Sequence, residues 1–126
     1  MIAIRLIRKS VFIGCILTLN TSFLAYGATS CFTAQEASQH VGESSCVCGN
    51  VVSTKYATNS NSQPTFLNLD EPFPNQIFTI VIFGRDRDRF SNPENTYLGK
   101  RVCVHGAIET YRGRAEIIVT DPSQIK

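Results

Sequence analysis

The sequence predicts an all-β domain with a short amino-terminal helix, and three observations carry that expectation. Five runs are rich in Val, Ile, Phe and Thr, turn-forming residues separate them, and no internal repeat, long linker or low-complexity tract intervenes. At 126 residues, 43% hydrophobic and 17% charged, the chain has room for one small domain and excludes a multidomain enzyme.

The first 27 residues read differently from the rest. Arg5, Arg8 and Lys9 precede an uncharged, largely apolar run over residues 11–26, with small residues at Ala25 and Gly27 where a signal peptidase would cut. Residues 1–27 are therefore expected to be a secretory signal, and residues 28–126 the domain. The apolar run is short of the roughly 20 residues that a bilayer span needs. A lipoprotein signal also fits poorly, since Cys15 would truncate the apolar run and Cys31 follows Ala28-Thr29-Ser30 without the usual leucine. The expected location is a bacterial periplasm or the medium, with no membrane contact after cleavage. Cleavage removes three basic residues and no acidic one, leaving nine against ten, or net −1. Such a domain has no overall field for a polyanion, so any nucleic-acid contact must rest on a local patch.

Within the domain, Thr33-Ala34-Gln35-Glu36 has capping-box spacing, with Thr at the N-cap and Glu at N3. A two-turn helix is expected to run on to His40, stop near Gly42, and pack on or plug the sheet. Strands are placed at residues 46–56, 65–70, 77–83, 100–111 and 115–120. Residues 59–64 form a polar loop, and Pro72-Phe73-Pro74-Asn75 a rigid corner. Arg85-Asp86-Arg87-Asp88-Arg89 alternates in sign and nearly neutralises itself, which reads as a solvated loop in preference to a phosphate clamp, and residues 91–95 continue it. Tyr111-Arg112-Gly113-Arg114 is a tight reversal between the last two strands.

Cys31, Cys46, Cys48 and Cys103 remain after cleavage, an even number that argues for two disulfides in a small exported domain. Strand parity narrows the three possible pairings. Val47 and Val51 take the core face, so Cys46 and Cys48 share the outward one, and the alternation through residues 101–105 turns Cys103 outward too. The favoured connectivity is Cys48–Cys103 across neighbouring strands, with Cys31–Cys46 tying down the amino-terminal segment. A zinc or copper site built from Cys46, Cys48, Cys103 and His105 is the lesser alternative, because C-x-C spacing in one strand splays the thiols and an oxidising compartment favours bridges. No C-x-x-C stands before a helix, so a redox-active pair is not expected, and neither is a metal or a cofactor.

Five short strands with a longer connection between the third and fourth make the element order of the OB-fold, a five-stranded Greek-key barrel. The residues themselves extend the likeness. Val47-Cys48-Gly49-Asn50-Val51-Val52, Pro64-Thr65-Phe66-Leu67-Asn68-Leu69, Pro74-Asn75-Gln76-Ile77-Phe78-Thr79, the stretch from Tyr97-Leu98-Gly99-Lys100 to Val104-His105-Gly106, and Tyr111-Arg112-Gly113 through Glu116-Ile117-Ile118-Val119 resemble a family of small bacterial OB-fold domains of the nucleic-acid-binding type. The likeness spans roughly residues 34–125. It implies a domain that stands alone behind a signal peptide or is attached to secreted nucleases. Its implied partners are single-stranded DNA or RNA, or a secreted nuclease or other periplasmic protein.

Alternation places Leu67, Leu69, Phe78, Ile80 and Ile82 in the core, so Phe66 faces outward with Asn68 and Asp70, beside Ile77, Thr79, Val81 and Phe83. OB-folds hold oligonucleotides or sugars on this surface and on the loops that flank it. Here the flanks carry Lys55 and Tyr56 on one side and Tyr111, Arg112 and Arg114 on the other. The expected site is thus a stacking platform of Phe66, Tyr56 and Tyr111 with Asn68, served by the cations Lys55, Arg85, Arg112 and Arg114. Stacking is worth about 1–3 kcal/mol per base, and three or four phosphate contacts give a shallow salt dependence, so binding should be weak and indifferent to sequence. Against this stands a bland reading in which the amino-terminal helix or the Pro72–Pro74 corner covers Phe66 and the barrel serves as a protein-interaction or structural module. His40 suits a helix end, His105 a strand surface, and Asp70-Glu71 a turn. No Ser/His/Asp set, phosphate-cradling Gly loop or metalloprotease helix is present in the sequence, and no catalysis is expected.

Overall fold

The computed structural model describes residues 30–126 together with the isolated Gly14. The expected secretory signal, Cys15 included, otherwise lies outside the described residues. The described chain is mostly β, with one six-stranded sheet and a few short helical turns. Its strands are β1 Phe32–Thr33, β2 Ser44–Tyr56, β3 Thr65–Leu69, β4 Phe78–Ile82, β5 Arg101–Tyr111 and β6 Arg114–Ile118. The last five are the expected strands, with ends displaced by two residues at most. The two-residue β1, which pairs parallel to β2 through Phe32 with Val47 and Thr33 with Cys48, is too short to leave a periodic signal.

The 13-residue β2 pairs twice. Its first half lies antiparallel to β5, from Ser44 opposite Ala107 to Asn50 opposite Arg101, and its second half antiparallel to β3, ending with Tyr56 opposite Thr65. The register shifts between Val51 and Ser53, which turns Val52 out to 40% exposure and bends the strand from one partner to the other. β3 continues antiparallel to β4, β4 parallel to β6, and β6 antiparallel to β5, so the pairings return to β2. One close approach depends on glycine, since a Cβ at Gly106 would lie 2.8 Å from the Ile117 side chain.

Alternation fills the interior as expected. Val47, Val51, Leu67, Leu69, Phe78, Ile80, Ile82, Val104, Ile108 and Ile117 are fully buried in one cluster. Both disulfides have the expected pairing, Cys31–Cys46 and Cys48–Cys103. Cys46 lies outside the core cluster, as parity requires, yet it is only 4% exposed because the segment bridged to it covers it. Two disulfides suit an oxidising environment. Among the described residues no helix is long and apolar enough to cross a membrane.

Three expectations need correction. The amino-terminal helix is a single 3₁₀ turn, Glu36–Gln39, with Gln35 at its N-cap. Thr33 does bond Glu36, accepting from its backbone N–H at 3.2 Å and donating to Oε1 at 3.0 Å, but the His40 N–H closes back on the Ala37 carbonyl and the Gly42 N–H leaves for the Ile108 carbonyl, which ends the turn. Ala34 and Ala37 plug the core nonetheless. The Arg/Asp run is not a solvated loop, because it forms a 3₁₀ helix, Gly84–Arg89, with Asp86 buried, followed by a short helix Pro93–Thr96. Finally, the outward face of the sheet is less open than alternation implies. Asn68, Thr79 and Val81 are each under 9% exposed, and every residue of β4, flanked by β3 and β6, is buried.

Candidate functional site

The outward residues of five strands line up in register. Ser53 stands opposite Asn68, Asn68 opposite Thr79, Thr79 opposite Glu116, and Glu116 opposite Glu109. This polar row is bonded at one end. Asn68 Nδ2 donates to Ser53 Oγ at 2.9 Å, and Thr79 Oγ1 donates to Asn68 Oδ1 at 2.9 Å. These bonds satisfy the two buried side chains, which would otherwise cost the domain stability. At the other end, the Glu116 carboxylate makes no hydrogen bond or ion pair among the described residues. Burial and then the neighbouring Glu109 push its carboxyl above the usual carboxylate range.

A cleft of about 440 Å³ opens over this row. Ser53, Asn68, Thr79 and Glu116 line it together with Lys55, Phe66, Phe73, Tyr111, Arg112 and Arg114. Phe66, opposite Lys55 across the β2–β3 ladder, is half-buried, so its ring is not sealed off from the cleft. The Pro72–Pro74 corner is held by Ser53 Oγ, which accepts from Phe73 N–H at 3.1 Å, and by Arg114, whose Nη2 donates to the Pro74 carbonyl at 2.8 Å. Phe73 stays 71% exposed.

The tight reversal at the cleft edge is a two-residue hairpin in which Arg112 (φ 50°) and Gly113 (φ 78°) both sit in the left-handed region. This is the backbone that a type I′ turn demands, comfortable for Gly and strained for Arg. The Arg112 guanidinium lies 5.3 Å from the Tyr111 ring centre.

Six of the eight expected site residues therefore converge on one cleft: Lys55, Phe66, Asn68, Tyr111, Arg112 and Arg114. Tyr56 and Arg85 do not join them. The Tyr56 ring is covered by the Arg87 guanidinium, 3.7 Å from its centre, and Arg87 is itself fixed by Glu94 at 2.8 Å and by Thr65 Oγ1 at 2.7 Å. That hydrogen-bonded ion pair holds the Glu94 carboxyl below the usual range. Arg85 lines a separate groove with Asn61, Ser62, Gln63 and Phe83. Sequence reasoning missed Glu116 and Phe73. The alternation that sends Ile117 and Val119 inward was enough to turn Glu116 outward, but nothing local shows that the Pro72–Pro74 corner folds back beside β2.

No family model and no curated protein matches the sequence. Among solved structures, the chain is similar to part of a "putative aspartyl-tRNA synthetase" from Leishmania major Friedlin, at 12% identity and a TM-score of 0.46. The match covers 80% of this chain and 21% of that one, and a likeness this slight bears on neither fold nor activity.

Proposed function

We propose that this is an exported OB-fold binding module, without catalytic activity, that holds single-stranded nucleic acid weakly in the outer cleft. The cleft carries the reading: Phe66, Phe73 and Tyr111 supply aromatic surface around a polar row, and Lys55 and Arg112 stand exposed beside it to meet phosphate. The strand pairings support a barrel, since β2 meets both β3 and β5 and the five long strands form one continuous series. The site then sits on the strand face and loops that such barrels use for oligonucleotides. Disulfide pairing and the basic, then apolar amino-terminal stretch support export to a bacterial periplasm or the medium.

Fluorescence anisotropy with labelled 12-mers of single-stranded DNA and RNA, at low and moderate salt, tests this. Micromolar binding that weakens with salt is expected, with Phe66→Ala costing roughly tenfold and Arg112→Ala a few-fold. No binding at about 100 μM domain, or binding that neither variant alters, overturns it. One observation favours a second reading, a module that grips another periplasmic protein: Phe73 stands 71% exposed at the lip. Under that reading Phe73→Ala leaves nucleic acid unbound in every arm and abolishes capture of the protein partner.

A further inference from the structure

Building on the nucleic-acid reading, we infer that Glu116 gives the cleft a preference for guanine, its carboxylate accepting the paired N1–H and N2–H donors of the base edge. A stacking platform alone is indifferent to base identity, since every base has a π-face. The polar row beneath this one is not indifferent. Thr79 donates to Asn68 and Asn68 to Ser53, so these side chains engage one another, while Glu116 is a half-buried carboxylate with no internal partner among the described residues.

The cations that could have neutralised it are engaged elsewhere or held away. Arg114, two residues along the same face, donates to the Pro74 carbonyl, and Arg112 lies over Tyr111. Glu109, the cross-strand neighbour, repels Glu116 and cannot satisfy it. A ligand entering the cleft therefore meets a hydrogen-bond acceptor that needs donors. Two adjacent carboxylate oxygens match two parallel N–H groups, and guanine alone among the common bases presents that pair on its pairing edge. Thymine and uracil set a single N–H between two carbonyl oxygens, which the carboxylate repels. Adenine and cytosine offer one amino donor beside a ring nitrogen acceptor.

The test uses the full domain and thymidine 12-mers carrying no guanine, three guanines or three inosines, inosine lacking the N2 amino group. At neutral pH the guanine oligomer should bind roughly tenfold tighter than all-thymidine, with inosine losing most of that gain. Glu116→Gln should bring guanine and thymidine oligomers within about twofold of each other. Equal affinity for guanine and thymidine oligomers, for guanine and inosine, or a guanine preference that survives Glu116→Gln overturns this inference while leaving the binding module standing. Absence of binding by any oligomer overturns both.

Discussion

The same three ingredients, arginine, tyrosine and glutamate, occur in two regions and come to opposite ends. In the helical connection, Arg87 covers Tyr56, pairs with both Glu94 oxygens through its two terminal guanidinium nitrogens and bonds Thr65, so the carboxylate is fully engaged. In the outer cleft, Arg112 and Arg114 flank Tyr111 and Glu116 without closing on the carboxylate, and the tyrosine is 58% exposed. Chain geometry makes the difference. The helical connection brings Arg87 and Glu94 within seven residues and lays both against β2 and β3, where Thr54 also donates to the Glu94 carbonyl. In the cleft, strand pairing dictates that Glu116 faces Glu109 and that Arg114 reaches the Pro74 corner. A charged cluster whose members satisfy one another is structure, and one left unsatisfied around a concave surface is available to a ligand.

The largest expected effect breaks the closed cluster. Arg87→Ala removes a half-buried ion pair, a hydroxyl contact and the cover of Tyr56, and should cost about 2–4 kcal/mol in urea denaturation. Glu94→Ala in the Arg87→Ala background should add little beyond that, because the pair is one unit. Arg112→Ala, measured the same way, should stay within about 0.5 kcal/mol, as surface changes usually do. Similar losses from Arg87→Ala and Arg112→Ala would erase the distinction between the two regions.

The sequence was most legible where side-chain parity governs. The five long strands and the inward positions Leu67, Leu69, Phe78, Ile80 and Ile82 follow from period two, because one face must be dry, and the same parity narrows the cysteine pairings by turning Cys48 and Cys103 to one outward face. It was least legible where charges meet over distance. The alternating signs of Arg85 to Arg89 look self-neutralising along the chain, yet Arg87 turns inward to Glu94 and Tyr56, contacts that exist only once β2 is in place. The cleft was readable residue by residue through Phe66, Tyr111 and Arg112. Its unsatisfied carboxylate emerges only from the register that sets Glu109 beside Glu116.

A smaller effect sharpens the comparison at the hairpin. Arg112 occupies a left-handed position where Asn followed by Gly is the favoured pair. Arg112→Asn should therefore raise stability by about 0.5–1 kcal/mol in thermal or urea unfolding. Under the proposed function, the same change should also weaken oligonucleotide binding a few-fold by removing a cation offered to phosphate. A residue that costs the fold and serves the ligand must separate the two readouts in this way. If Arg112→Asn lowers stability, the arginine is structural after all.

The smallest effect uses the two glutamates as probes with opposite signs. The Glu94 carboxyl is held low, first by its hydrogen bond from Arg87, so its contribution is present above the ordinary carboxylate range and disappears as pH falls through its folded value. The Glu116 carboxyl is held high, first by burial and then by Glu109, so its contribution is present at acid pH and is lost as pH rises through its folded value. Glu94→Gln should thus destabilise at neutral pH, with the penalty shrinking on acidification. Glu116→Gln should stabilise at neutral pH, with the gain vanishing near about pH 3, where both glutamates are protonated in the unfolded chain. Urea denaturation of both variants at the two pH values reads the signs directly. If Glu116→Gln destabilises at neutral pH, its carboxylate has a partner within the fold and is not waiting for one from outside.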